Sequence, residues 1–241
     1  MNTLSEPINA KKTIAYVDGF NLYYGALKYS DYKWINPKIL LENVLKNRSI
    51  TINTLNFYTA RLSGTLDEDA PRRQNLYLGA LETVKNIEII YGSFQVNRKS
   101  KKIVSASDLG KILKPFPEKC HVIIPEEKGS DVNLGSHLVR DGFLNKFDTA
   151  IVCTNDTDLC EPIRIIVQEL KKDVILITPG PRYRLRSGNK NNEQSTAKKL
   201  KIAVGNENNI FHMRKSHQKS ALLDNSIDGK NGKQFTKPDT W

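Results

Sequence analysis

The sequence is short of cysteine, methionine and tryptophan, and long apolar runs are missing altogether. Cysteine occurs three times, at Cys120, Cys153 and Cys160, an odd number without the spacing of a zinc site or a disulfide framework. Cys153 stands in an apolar run and reads as a small buried hydrophobe, so a reduced, cytoplasmic setting is expected. No run approaches the ~18 apolar residues a membrane helix needs, and mean hydropathy is −0.48. The opening residues, MNTLSEPINAKKT, lack the apolar stretch of a secretory signal. A Walker loop, a Gly-x-Gly-x-x-Gly turn and a serine-hydrolase elbow are absent too. No histidine stands near the acidic motifs described below, which gives histidine general-base chemistry little support.

What the chain has in excess is positive charge. Lys and Arg number 37 against 26 Asp and Glu, a formal +11. That balance favours polyanions, nucleic acid before an anionic membrane. It sets neither a substrate nor a fold. A length of 241 residues suffices for one α/β core with extensions.

Short apolar runs alternate with helical patterns, which argues for βα units and a mainly parallel sheet. The first strand is Ile14 to Val17, ended by Asp18-Gly19, and a helix is expected from Asn21 to Lys28. Pro37 suits the first turn of a helix reaching about Leu45. Leu55 to Tyr58 reads as the second strand. Asp67, Glu68 and Asp69 open a helix carrying Tyr77, Leu81 and Val84, and Ile87 to Val96 reads as the third strand. From 97 to 127 the pattern breaks around Arg98, Lys99, Lys101 and Lys102, so an insertion is expected, with an extra strand at His121–Ile124. Ser130 is a natural N-cap for a helix with Val132, Val139 and Phe143 on one face. Ala150 to Cys153 is the fourth strand. Its helix carries a capping box, Asp158-x-x-Glu161, and then Ile163, Ile166, Val167 and Leu170 at helical spacing. Val174 to Ile177 is the fifth strand. One more helix is expected at 197–204 and one short strand at 210–212. The division expected is an N-terminal extension at 1–12, a domain at 13–212 and a tail at 213–241 that adds little to the core.

Open parallel sheets bind ligands beyond the carboxyl ends of their strands, where strand order reverses. Asp18 ends the first strand there, and Asp156 and Asp158 follow the fourth. Asp131 opens the helix leading into that fourth strand. If strands one and four are neighbours, these carboxylates converge, repel one another and raise one another's pKa values. Mg²⁺ or Mn²⁺ would relieve that repulsion and could activate water against a phosphodiester.

Val17-Asp18-Gly19-Phe20-Asn21-Leu22, Lys128-Gly129-Ser130-Asp131-Val132-Asn133-Leu134 and Thr154-Asn155-Asp156-Thr157-Asp158-Leu159 together resemble the NYN family of PIN-like ribonucleases, over about residues 13–178. The resemblance implies a three-layer PIN-like α/β fold with strand order 3-2-1-4-5, dependence on Mg²⁺ or Mn²⁺, and metal-dependent hydrolysis of RNA. It implies a catalytic cluster of Asp18, Asp131, Asp156 and Asp158, the first three of them metal ligands. Asn21, Lys128, Arg182 and Arg184 are the expected substrate contacts. RNA is the expected partner, no membrane association is expected, and self-association is left open.

Each motif has a plainer explanation. Asp18-Gly19 is an ordinary turn, the capping box accounts for Asp158, Asp131 can complement a helix dipole, and Asn21 can satisfy a helix start. Lys128 and the Arg98–Lys102 cluster can be solvated charge. Rival functions are an RNA-binding or regulatory protein with weak or no nuclease activity, a Mn²⁺-dependent sugar transferase using Asp156-x-Asp158, and a phosphatase with Asp18 as nucleophile. The last lacks a second acid at Phe20.

Overall fold

The computed structural model describes residues 11–179 and 198–241, apart from 66, 106 and 109. Its framework is a six-stranded parallel sheet. In chain order the strands of this sheet and of a hairpin beside it are β1 (Thr13–Asp18), β2 (Thr54–Thr59), β3 (Ile87–Tyr91), β4 (Ser93–Lys102), β5 (Lys119–Lys128), β6 (Thr149–Cys153), β7 (Asp173–Thr178) and β8 (Ile210–His212). The sheet runs β3-β2-β1-β6-β7-β8, and β4 with β5 form the separate antiparallel hairpin. β1 therefore has β2 on one side and β6 on the other, with Val17 level with Cys153. Strand order reverses between β1 and β6, which makes their carboxyl ends the place to look for a site.

The fully buried pattern of β6 fits a central parallel strand covered on both faces. One face packs Val17, Leu22, Trp34, Leu40 and Leu41 into a core, and the other packs Tyr16, Leu134, Leu138, Ile163 and Ile166. The helices are α1 (Gly19–Leu22), continued by a π-helical turn Tyr23–Leu27, then α2 (Pro37–Val44), α3 (Ala70–Leu81), α4 (Ser130–Phe143) and α5 (Cys160–Arg164), again continued by a π-helical turn, Ile165–Glu169. A further helix covers 198–204, and a last short one spans Lys215–Lys219. Among the described residues no helix is long and apolar enough to cross a membrane.

Several local expectations are corrected. The third strand breaks at Gly92: β3 stays in the sheet while β4 leaves it to pair with β5, so the inserted region is built around a long hairpin. A Cβ at Gly92 would lie 2.7 Å from the Lys128 carbonyl oxygen, a crowding that only glycine avoids. The face of α4 marked by Val132 and Phe143 is outward, 70% and 61% exposed. Leu134 and Leu138, one helical turn apart, are the buried pair instead. The cap of that helix is Gly129 at φ 90°, with Ser130 following it.

The tail packs far more than its polar composition implies. Ala221 and Phe235 are buried, and Trp241 packs against the same core. The Trp34 indole N–H donates to the Asp224 carbonyl at 2.8 Å. Two short strands, β9 (Ser226–Asp228) and β10 (Gln234–Thr236), hold Phe235 in place.

Candidate functional site

Asp18 lies at the end of β1, 2% exposed, with both carboxylate oxygens engaged. Oδ1 accepts from the Asn21 backbone N–H at 2.9 Å, and Oδ2 accepts from the Asn21 side-chain amide at 2.6 Å and the Thr154 hydroxyl at 3.2 Å. Burial raises its pKa above the usual carboxylate range, while these hydrogen bonds pull it back. Asp18 thereby caps α1. A Cβ on Gly19 would come within 2.7 Å of the Tyr58 carbonyl oxygen, so the chain can turn there only with glycine.

The end of β6 is tied to this turn. The Asn155 N–H donates to the Asn21 side-chain oxygen at 3.3 Å, and the Asp156 N–H donates to the Thr154 hydroxyl at 3.0 Å. Asp156 then accepts from the Asp158 N–H at 3.0 Å and caps the turn Thr157–Leu159. Asp156 does the capping, and no side chain caps α5 at Leu159, because the chain enters α5 through a 3-10 turn.

Asp131, on the first turn of α4, faces the same edge. Its pKa is pushed up to about 7, first by burial and then by the charges of Asp18, Asp156, Glu127 and Asp158. The four sequence-predicted aspartates are therefore within electrostatic reach of one another. Among the described residues no three His, Cys, Asp or Glu side chains are grouped so as to hold a metal ion. Asp18 and Asp156 both spend carboxylate oxygens on capping.

Lys128 ends β5 with its ammonium 3.8 Å from Glu126. Arg182 and Arg184 lie outside the described residues. Sequence reasoning missed Thr154, fully buried and bonded to Asp18. It also missed a cavity of about 400 Å³ that begins at Gly19 and Phe20, directly after Asp18. The cavity's rings come from segments far apart in the chain, among them Tyr23, Phe57, Tyr77, Phe94 and Trp241, so no local pattern announces it.

The chain is 31% identical over 183 residues to the 6-hydroxy-3-succinoylpyridine 3-monooxygenase of Pseudomonas putida. That is a likeness to an oxidoreductase. The match takes in 67% of this chain and 56% of that protein, so the chain spans about half the length of the curated relative it matches. No family model matches. A crystal structure of a protein of unknown function from Vibrio parahaemolyticus overlays with a TM-score of 0.46 at 16% identity, covering 90% of this chain and all of that one.

The monooxygenase likeness overturns the expected metal-dependent ribonuclease. The named relative is an oxidoreductase, not a phosphodiester hydrolase. The physical reason for the error is that carboxylates at a switch point serve many chemistries. Fold and edge position alone do not select one.

Proposed function

We propose that this chain is an oxidoreductase of the monooxygenase kind, inserting one atom of molecular oxygen into a small organic substrate. The likeness to the Pseudomonas putida monooxygenase carries the reading. In such a reaction one oxygen atom enters the substrate and the second leaves as water, and forming that water takes up two electrons and two protons from a reductant. The cavity beside Asp18 is of a size suited to a small substrate, within the ~300–1,000 Å³ of ligand pockets.

The two electrons need a reductant. A dinucleotide at the β1 turn would set its pyrophosphate against the buried carboxylate of Asp18, where a Gly-x-Gly-x-x-Gly loop would offer backbone N–H groups instead. The residues at that turn do not fit a tightly held dinucleotide, so the reductant is a diffusible reduced nicotinamide or flavin. For the fold, we propose the finer PIN-like arrangement, supported by the three acidic motifs and their order along the chain.

The test is oxygen uptake by the purified chain given 6-hydroxy-3-succinoylpyridine and a reduced nicotinamide, with or without added flavin. Uptake that depends on the substrate, with one labelled atom from isotopic O₂ in the product, is expected. No uptake and no labelled product with either donor overturns the reading.

A further inference from the structure

Resting on that reading, we infer that the cavity beside Asp18 takes a planar aromatic ring bearing a carboxylate. Rings from α1, its π-helical continuation, β2, α3, β4 and the end of the chain line it. Tyr23 and Tyr24 meet edge to face at 5.2 Å, and Tyr77 and Trp241 stand 5.7 Å apart. Walls of this kind favour a flat ring, which can stack or meet them edge-on.

Charge sets the second half of the ligand. Lys28, Lys33 and Arg73 line the cavity, against one acidic residue, Asp67. Arg73 is paired with Asp67. Lys28 lies over the Tyr24 and Tyr29 rings at 5.0 and 5.3 Å. Neither Lys28 nor Lys33 has a carboxylate within ion-pair distance among the described residues. Both are only partly exposed, so a ligand anion would recover solvation that burial has removed.

A carboxylate fits this setting better than a phosphate. Phosphates settle on free helix N-termini, and the two helix starts at the cavity are occupied by acids. Asp18 caps α1, and Asp67 and Asp69 stand at the start of α3. A singly charged group reaching the two lysines meets less of that repulsion.

The experiment is equilibrium binding to the full chain, followed by tryptophan fluorescence, since Trp241 lines the cavity. The probes are 3-phenylpropanoate, its neutral amide and phenyl phosphate. The acid is expected to bind about tenfold or more tighter than the amide, the scale of roughly 1.4 kcal/mol from a charge-assisted contact. Lys28→Met with Lys33→Met should erase that preference while leaving amide binding in place. Equal binding of acid and amide overturns the inference, as does tighter binding of phenyl phosphate than of the acid. Because the acid and amide are compared on the unaltered chain, a variant that fails to fold does not remove the test. Acid-selective binding without oxygen uptake sustains this inference and sinks the oxidoreductase reading. Uptake with unselective binding does the reverse.

Discussion

Asn21 grips Asp18 at two points, its backbone N–H on one carboxylate oxygen and its side-chain amide on the other. The side-chain oxygen of the same asparagine accepts from the Asn155 N–H, so one residue joins the turn after β1 to the turn after β6. Loss of that side chain would leave a buried carboxylate short of a donor and an N–H short of an acceptor.

Asn21→Ala is expected to destabilise the chain by about 1–3 kcal/mol, the cost of stranding buried hydrogen-bonding groups. Urea unfolding measures it. A midpoint equal to that of the unaltered chain would show that the bridge between the two turns contributes nothing.

Asp131 makes stability depend on pH. Its folded pKa lies near 7, above the usual carboxylate value, so the folded state holds a proton that the unfolded chain releases. Stability is fully present below the unfolded carboxyl range and is lost as pH rises through about 7. Asp131→Asn should therefore gain roughly 1–2 kcal/mol at pH 8, after allowing for solvent screening at a partly exposed position. The gain should vanish near pH 4, and a gain that stays constant with pH would contradict the assignment.

Tyr16 donates its hydroxyl to Asp141 at 3.0 Å in the core beneath α4. Asp141 is 3% exposed and also meets Arg140 and Lys146. Tyr16→Phe should cost about 1–2 kcal/mol, a modest loss because two cations still hold the carboxylate. Asp141→Ala should cost more, since Tyr16 and both cations then lose their partner. Thermal unfolding of the two variants ranks them, and the reverse order would refute the argument.

Phe235 tests whether the tail is structural. A Cβ on Gly79 would fall 2.1 Å from its ring, so the ring sits directly on the α3 backbone. Phe235→Ala should cost about 3 kcal/mol, or roughly 6–12 °C in Tm for a chain of this length. Gly79→Ala should also destabilise, through overpacking. Unchanged melting in Phe235→Ala would return the tail to the peripheral role its composition implies.

By itself, the sequence determined the βα alternation, the parallel strands around β1 and β6, and the helix at Pro37, where the Asn36 side chain accepts from Lys38 and Ile39. Those features follow from period, capping chemistry and proline geometry, all local properties. It also marked Asp18, Asp131, Asp156 and Asp158 as residues that share one edge. Only the tertiary structure decided their states. Which aspartate caps a turn, and which is left with a pKa near 7, depends on Asn21, Thr154 and the packing of α4, none of them neighbours of all four in the chain. The tertiary structure likewise decided which face of α4 is buried, where β4 leaves the sheet, and how Phe235 and Trp241 close on Gly79 and Tyr77. Burial and electrostatic coupling arise between segments distant in sequence, so no local pattern encodes them.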